Sequence, residues 1–359
     1  MNRNNTNAQN LNAKAMLARF RDPRIRWSAI CNDECSDGIA ANGIRTIPVS
    51  RSRRWEVDLA VAYQSSFDAI FYPGVMWPDE WGMKLRRWLR RPVPVIATLE
   101  GIIADAETLK KLTEAVGHPV FSQTNVKRIT QRLRWMYTTA DHVIAISPAL
   151  CRAGRLIYSG KVSYLPLGVE SKIFHSRDRR EPQRCRVMGC ATVKDPKNPQ
   201  AFLKLAARYK EADFVWFGNG PLRESLIARA KELGLENLAF PGACQPRELA
   251  QEFRNSSIFV LPSYAEGVPK VTQEAAACGL PIVIYGFYDA QTVVHERNGL
   301  VAWSDEELTE HVGRLIEDPD LRRRMGNEGA SMAKAWDWDL VAPQWEELVI
   351  RIATQERSR

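Results

Sequence analysis

The sequence predicts an α/β protein built from two doubly wound parallel sheets. Short apolar runs alternate with helical patterns in both halves of the 359-residue chain, and a polar stretch interrupts this alternation once. The composition is typical of a globular protein, with 45% hydrophobic and 26% charged residues. A chain of this length is sufficient for two domains of ordinary size.

The first half contains candidate strands separated in several places by helical patterns, which predicts parallel pairing through helical crossovers. A doubly wound domain normally opens with a strand and a glycine turn. In this sequence the helical pattern "NAQNLNAKAMLARF" comes first instead. We therefore expect that the first domain either lacks its first strand or is built differently. The candidate strands are 26–31, 45–50, 68–74, 92–101, 141–147 and 161–168.

A polar, charged stretch separates the two alternating regions and reads as a linker. After it, apolar runs at 186–191, 213–220, 238–242 and 257–263 and the run "PIVIYG" predict a second doubly wound sheet. The expected organisation is a first domain over 1–168, a linker over 169–185, a second domain over 186–336, and a C-terminal helix over 337–359 that packs back toward the first domain.

Basic residues are concentrated in the first half of the chain. Residues 1–180 contain 28 Lys and Arg against 16 Asp and Glu, whereas the whole chain has a net charge of +8. A basic domain favours an anionic partner such as a membrane surface or a nucleic acid. Neither a zinc-ligand spacing nor a ribonucleoprotein aromatic motif supports nucleic-acid binding, so a nucleic-acid-binding or nucleic-acid-modifying protein is kept only as an alternative.

Cysteine usage and hydropathy predict a cytoplasmic location. No apolar run reaches the roughly 18 residues that span a bilayer, and the first residues lack the apolar core of a signal peptide. The seven cysteines are odd in number and form no C-x-x-C pair, which indicates reduced thiols. Cys31 and Cys35 have no nearby ligands that would complete a metal site.

Two glutamates frame the start of a predicted helix in "AEGVPKVTQEAAACGLPIV", residues 265–283. Pro269 suits the first turn of that helix. Free N–H groups at the helix start favour an anion such as phosphate, and Gly267 lets the anion approach closely. Glu274 lies about 8 Å along the axis, with its side chain slanted back, so its carboxylate can accept hydrogen bonds from a ribose.

Glu266 precedes the helix, so its side chain points to the end of the site that lies opposite Glu274. At that end, the far phosphate of a bound diphosphate would carry its substituent. Two interpretations of the pair are open. The glutamates bind a ligand, or they only cap and solubilise the start of a helix. The order of the surrounding motifs favours the first interpretation.

The segment around Glu266 and Glu274 resembles the C-terminal domain of family 4 glycosyltransferases, which carry an E-x7-E motif. The resemblance extends to "FVWFGNGPLRESL", "LAFPG", "HERNGLVA" and "LIEDPDLRRRMG" and covers roughly residues 140–350. It implies a GT-B fold of two Rossmann-like domains facing a cleft. The implied activity is retaining, metal-independent hexosyl transfer from a nucleotide-sugar to a glycan or lipid-linked acceptor, in cell-surface polysaccharide or glycolipid synthesis.

The resemblance also implies the roles of the donor-site residues. Glu274 would hold the ribose, Glu266 would contact the hydroxyls of the donor sugar, and the backbone after Glu266 would meet the diphosphate or sugar. A UDP- or GDP-sugar would be the co-substrate, with no other cofactor and no side-chain nucleophile. The other implied donor-site residues are Gly267, Val268, Pro269, Gly218, Gly220 and Gly242.

Cationic groups are expected in the loop "GCATVKDPKN", because a departing diphosphate needs positive charge. In the family this loop carries an Arg and a Lys. Lys197 matches the Lys, but Cys190 occupies the position of the Arg, and Lys194 is the candidate substitute. The alternative for both lysines is a solvated surface loop. The "DWD" at 337–339 spells the D-x-D of metal-dependent enzymes, but Asp339 is expected to cap the final helix instead.

Glu100 occupies a position where many family members carry a histidine. It could receive or orient the acceptor hydroxyl, or it could be a loop acid hydrogen-bonded to a helix start, and both interpretations are open. Together with Cys190 and the absent first strand, Glu100 keeps a further hypothesis open. The chain could be a non-catalytic sugar-nucleotide-binding protein of the same fold.

Residues 78–92, "PDEWGMKLRRWLRRP", predict an amphipathic helix with a basic face. This pattern is typical of a helix lying on an anionic membrane surface, which would place the protein peripherally at the inner face of the membrane. It is equally typical of a packing helix with a solvated face. The candidate membrane-facing residues are Trp81, Lys84, Arg86, Arg87, Trp88, Arg90 and Arg91.

Overall fold

The structure is a computed structural model. In it, the chain forms two compact units. One unit comprises Met1–Gly168 with Trp338–Arg359, and the other comprises Val169–Asp337. Each unit contains parallel β-sheet and helical crossovers, so the prediction of two α/β units is confirmed. The described residues are 8–31, 45–48, 68–73, 80–89, 93–102, 106–116, 127–158 and 160–357.

The first unit contains two parallel sheets in its described part. Strands β1 (Ser28–Cys31) and β2 (Arg45–Pro48) form one sheet. The other sheet has the order β3 (Ile70–Tyr72), β4 (Val95–Leu99), β5 (His142–Ala145) and β6 (Lys161–Tyr164). All six strands lie within runs predicted from the sequence. The helices before and between them are α1 (Ala8–Leu17), α2 (Glu80–Trp88), α3 (Ala106–Val116), α4 (Lys127–Thr139) and α5 (Pro148–Ile157).

Burial and capping explain why these elements form. Strands β4 and β5 are buried along their whole length, as expected for central strands of a parallel sheet with covered faces. Helix α5 begins where the Ser147 side chain accepts a hydrogen bond from the backbone N–H of Leu150, followed by Pro148 in the first turn. Local sequence therefore fixes the start of this crossover helix.

The second unit contains one six-stranded parallel sheet of order β12-β11-β10-β7-β8-β9. Its strands are β7 (Arg186–Cys190), β8 (Asp213–Phe217), β9 (Leu238–Gly242), β10 (Ile258–Leu261), β11 (Ile282–Tyr285) and β12 (Gly299–Ala302). Its helices are α6 (Pro199–Arg208), α7 (Arg223–Glu232), α8 (Pro246–Arg254), α9 (Lys270–Ala277), α10 (Asp305–Glu317) and α11 (Pro319–Ala333). The strand order reverses between β7 and β10, which creates a topological switch point.

Alternating residues of the same strands supply two cores, one on each face of the second sheet. In β10, Val260 belongs to one core and Phe259 to the other. In the first of these cores, the Phe202 ring of α6 packs edge-on against Phe214 and Trp216, with ring centroids 5.4 and 5.3 Å apart. These aromatic contacts fix α6 against the sheet.

The stretch 169–185, predicted as a linker, contains no helix or strand but packs on the second unit. Phe174 is 5% exposed, and its ring centroid lies 6.2 Å from that of Phe253. Glu181 accepts a hydrogen bond from Arg322 Nε at 2.9 Å. This stretch is therefore part of the second unit's packed structure.

The C-terminal helix α12 (Trp338–Arg357) packs within the first unit. Trp345 is 1% exposed and donates a hydrogen bond from Nε1 to the carbonyl of Pro166 at 2.8 Å. The buried Glu346 accepts a hydrogen bond from Trp27 Nε1 at 3.1 Å. Among the described residues, no helix combines the length and the apolar character needed to cross a membrane.

Replacing Phe202 with Ala should destabilise the second unit, because its ring is fully buried against two other aromatic rings. The expected loss is about 3–5 kcal/mol of unfolding free energy, measured by urea denaturation. Leu233→Ala is the control, since Leu233 is 43% exposed and its truncation should change stability by less than about 0.5 kcal/mol. Equal losses for both variants would contradict this account of the core.

Candidate functional site

The candidate donor-site residues of the second unit lie at the carboxyl ends of its strands, around the switch point between β7 and β10. They come from the loops that follow β7, β8 and β10 and from the start of α9. Open parallel sheets bind ligands at such an edge. The topology therefore brings together Lys197 and Glu266, which lie 69 residues apart in sequence.

An ion pair between Lys197 and Glu266 joins two of these loops. Lys197 Nζ lies 2.5 Å from Glu266 Oε1, and the side chains are 19% and 9% exposed. Beside the pair, the backbone N–H of Tyr264 donates to the carbonyl of Pro196 at 3.1 Å. Two residues predicted to contact the donor are thus in direct contact, and each neutralises the other in a poorly solvated position.

Helix α9 begins directly after the loop that holds Glu266. Gly267 and Val268 are partly buried in that loop, and Pro269 is the residue that precedes the helix. Glu274 lies four residues after Lys270, the first helical residue, so both side chains are on one face of the helix. Glu274 thus lies within the predicted helix, and the predicted binding of an anion and a diol stays a prediction.

Burial shifts the pKa values of both charged residues on this face. It raises the pKa of Glu274 above its usual value, while the positive charge of Lys270 works in the opposite direction. It lowers the pKa of Lys270 to about 8, while Glu274 and Glu170 work in the opposite direction. Lys270 is a cation within the E-x7-E segment, and the motifs did not indicate a role for it. Its i,i+4 spacing from Glu274 was nevertheless visible in the sequence.

The two other candidates near the phosphate loop differ in their surroundings. Cys190 ends β7, and burial, followed by the charge of Glu274, raises the pKa of its thiol well above the usual value. A neutral thiol gives no positive charge. Lys194 is exposed, and its side chain makes no hydrogen bond or ion pair with another described residue. Lys194 is therefore not brought into the Lys197–Glu266 pair.

The predicted glycines allow the loops after β7 and β8 to approach each other closely. Gly218 has φ +139°, and a Cβ there would lie 2.0 Å from the carbonyl oxygen of Ala191. A Cβ on Gly220 would lie 2.3 Å from the carbonyl oxygen of Val193. The backbone N–H of Gly218 also donates to the Gly242 carbonyl at 2.9 Å, which links these loops to the end of β9.

Arg223, which the motifs did not single out, lies beside Gly242 at the start of α7. Its Nη2 donates to the carbonyl of Phe240 at 2.6 Å, and Nη1 pairs with Glu224 at 2.7 Å. Its buried Nε has no hydrogen-bond partner among the described residues. The site therefore carries a further fixed donor at the β8–β9 end.

Glu100 lies in the first unit, directly after β4, and is partly buried. Its charge contributes, after burial and the charge of Tyr158, to the raised pKa of the buried Tyr137. Both predicted interpretations of Glu100 stay predictions.

Helix α2 exposes part of the predicted basic face. Trp81 and Trp88 are 59% and 78% exposed, and Lys84 and Arg87 are exposed beside them. Arg86 requires a correction. It is only 3% exposed, because the helix packs on the side that carries it. Arg90 and Arg91 lie outside the described residues.

The aspartates of the D-x-D sequence lie at the start of α12. Asp339 is in the first turn of that helix and forms an ion pair with Arg19 within the first unit. This carboxylate therefore has a structural partner.

Comparison with known proteins identifies relatives of this chain. Residues 186–332 match the family model described as glycosyl transferases group 1. The chain is 25% identical over 247 residues to the alpha-galactosylglucosyldiacylglycerol synthase of Streptococcus pneumoniae, which covers 63% of the chain and 64% of that protein. The chain thus spans less than two thirds of that relative's length.

A second relative and a solved structure are similar over more of the chain. The GDP-mannose-dependent monoacylated alpha-(1-6)-phosphatidylinositol monomannoside mannosyltransferase of Corynebacterium glutamicum is 24% identical over 281 residues, covering 71% of the chain and 73% of that protein. The crystal structure of Anabaena HepE in complex with UDP and glucose has a TM-score of 0.72 at 16% identity and covers 97% of both chains. At this identity the structural likeness shows the fold alone.

Gly218→Ala should disrupt the contact between the loops after β7 and β8, because the new Cβ would overlap the Ala191 carbonyl in a backbone conformation that suits glycine. We expect a loss of about 2 kcal/mol or more in unfolding free energy, measured by chemical denaturation. Gly234→Ala is the control. Its φ is also positive, at +62°, but a Cβ there meets no atom of the described residues within 4 Å. A loss no larger than that of the control would refute the close approach.

Proposed function

We propose that the chain is a glycosyltransferase that transfers a sugar from a nucleotide-sugar to a glycan or lipid-linked acceptor, on the basis that residues 186–332 match the family model of glycosyl transferases group 1. The GT-B fold expected from the sequence is confirmed by the structural neighbours, which share its two Rossmann-like units. One observation carries the proposal. Lys197 and Glu266 meet at the switch point of the sheet, directly before the helix that carries Glu274.

In the proposed donor complex, Glu274 accepts hydrogen bonds from the ribose hydroxyls, since its two oxygens match a vicinal diol. The diphosphate lies at the start of α9, where the N–H groups and the helix dipole favour an anion. Lys197 then binds the diphosphate and stabilises its charge as it departs. Glu266, released from Lys197, accepts hydrogen bonds from hydroxyls of the donor sugar.

We infer that transfer retains the stereochemistry of the sugar and needs no metal ion. In this mechanism the diphosphate leaves on the face at which the acceptor arrives, through an oxocarbenium-like transition state. The protein supplies position and charge stabilisation rather than a nucleophile. Lys197 and the N-terminus of α9 supply the positive charge that a metal would otherwise provide.

The relatives support a UDP- or GDP-sugar as the donor and a lipid-linked acceptor. HepE was crystallised with UDP and glucose, and the corynebacterial relative is named for GDP-mannose and a phosphatidylinositol mannoside. The pneumococcal relative is named as a synthase of a diacylglycerol glycolipid. For this chain we propose a role in glycolipid or surface polysaccharide synthesis at the cytoplasmic face of a membrane.

A non-catalytic sugar-nucleotide-binding protein is the second candidate. Cys190 favours it, because burial keeps this thiol neutral at the position where the resemblance implies a second cation that would assist departure of the diphosphate. Binding of a sugar nucleotide without hydrolysis or transfer to any tested acceptor would support this candidate over the enzyme.

Glu274→Ala should abolish stabilisation by the matching nucleoside diphosphate, because the ribose loses its carboxylate. The measurement is a thermal-shift series with UDP, GDP, ADP, dTDP and CMP against the wild-type protein and the variant. A ligand at about 100 times its Kd stabilises the wild type by about 2.7 kcal/mol, which raises the unfolding midpoint by several degrees.

The control for this series is Glu232→Ala, which removes an exposed carboxylate paired with Arg229 on α7. It should respond to ligands like the wild type. If Glu274→Ala keeps the wild-type shift, or if no diphosphate stabilises the wild type, the proposed donor site is wrong.

The exposed face of α2 should bind anionic membranes if the acceptor is lipid-linked. The triple variant Lys84→Ser, Arg87→Ser and Trp88→Ser should lose most cosedimentation with phosphatidylglycerol vesicles, because each basic residue near such a surface contributes about 1 kcal/mol. Arg229→Ser with Lys231→Ser, on α7 of the second unit, is the matched control. Cosedimentation that survives the triple variant would exclude this helix as the membrane contact.

A further inference from the structure

Tyr288, in the loop after β11, has a buried hydroxyl group with no hydrogen-bond partner among the described residues. The residue is 5% exposed, so bulk solvent reaches it poorly. A buried hydroxyl without a partner is destabilising, and most buried polar groups in proteins are hydrogen-bonded. Its persistence next to the candidate site therefore requires an explanation.

The topology places Tyr288 and Glu266 at the same edge of the sheet. Strands β10 and β11 are parallel neighbours, with Leu261 opposite Ile284. Glu266 lies five residues after Leu261 and Tyr288 four residues after Ile284, so both leave the same edge of the sheet from adjacent strands. Consistent with this, burial raises the pKa of Tyr288 well above its usual value, and the charge of Glu266 raises it further.

The present partner of Glu266 is Lys197, and this pairing must break in the proposed donor complex. The Glu266 side chain is 9% exposed, so water can solvate it only poorly. If Lys197 turns to the diphosphate, a nearly buried carboxylate is left without its donor, which is costly unless another donor replaces it. The Tyr288 hydroxyl is a neighbouring donor without a partner among the described residues.

We propose that Tyr288 is a positioning residue for Glu266, donating a hydrogen bond to its carboxylate when Lys197 moves to the diphosphate. The exchange gives the Tyr288 hydroxyl a hydrogen-bond partner in the complex, whereas in the free protein it has none among the described residues. It also holds Glu266 in place for the hydroxyls of the donor sugar. The ligand part of this inference rests on the proposed function, but the exchange of partners can be tested without a ligand.

The ligand-free test is a double-mutant cycle of Tyr288→Phe and Lys197→Met, followed by the unfolding midpoint of the full chain. With Lys197 present, Tyr288→Phe removes only an unpartnered hydroxyl, so the midpoint should stay constant or rise. In the Lys197→Met background, Glu266 depends on Tyr288, and the same change should lower the midpoint by about 2–4 °C. An identical effect in both backgrounds would overturn the proposal.

A binding measurement keeps the proposal testable if the Lys197→Met proteins do not fold. Tyr288→Phe should weaken binding of UDP or GDP, whichever the wild type binds, by about 3- to 10-fold. It should leave binding of uridine or guanosine unchanged, because a nucleoside does not draw Lys197 away from Glu266. Unchanged diphosphate affinity in Tyr288→Phe would overturn the exchange.

The matched control is Tyr209→Phe, whose hydroxyl already donates to the carbonyl of Thr309 at 2.8 Å in the second unit. This variant should bind nucleosides and diphosphates like the wild type. The two proposals fail in different ways. If the donor site is wrong, the wild type binds no diphosphate and the ligand-free cycle still decides the role of Tyr288. If only Tyr288 is misassigned, the wild type and Tyr288→Phe bind diphosphates equally.

Discussion

The candidate site depends on the ion pair between Lys197 and Glu266, which joins the loops after β7 and β10 at the switch point of the second sheet. Two poorly solvated charges are tolerated because each neutralises the other. The pair also fixes the approach to α9, since the residue before the helix follows Glu266 by only three positions. In the proposed donor complex, a diphosphate at this helix start would compete with Glu266 for Lys197, so ligand binding would be coupled to rearrangement of the pair.

The same balance of charge and burial extends along α9. Glu274 and Lys270 share one helix face, and burial shifts the pKa of each toward its neutral form while each opposes the shift of the other. A carboxylate in such surroundings gains from the hydroxyls of a ribose, because they replace the hydrogen bonds of water. The proposed donor site would therefore combine anion and diol recognition within two turns of helix.

Much of the second unit could be predicted from the sequence because its signals are local. Apolar runs that alternate with helical patterns predicted the strands. The motif formed by Glu266 and Glu274 indicated the sheet edge at which these two residues lie. Residues whose role depends on neighbours distant in sequence were missed. Tyr288 gives no motif, and its importance arises only because β11 pairs with β10. Arg86 was assigned to a basic face, but packing of α2 buries it.

The sequence by itself determined the α/β class, the position of the strands and the E-x7-E segment, because periodicity and turn residues act over a few positions. Only the tertiary structure decided that Lys197, and not Lys194, pairs with Glu266, that burial raises the pKa of the Cys190 thiol, and that the Tyr288 hydroxyl has no partner among the described residues. Such pairings depend on which loops the sheet order brings to one edge, and strand order is a property of the packed chain.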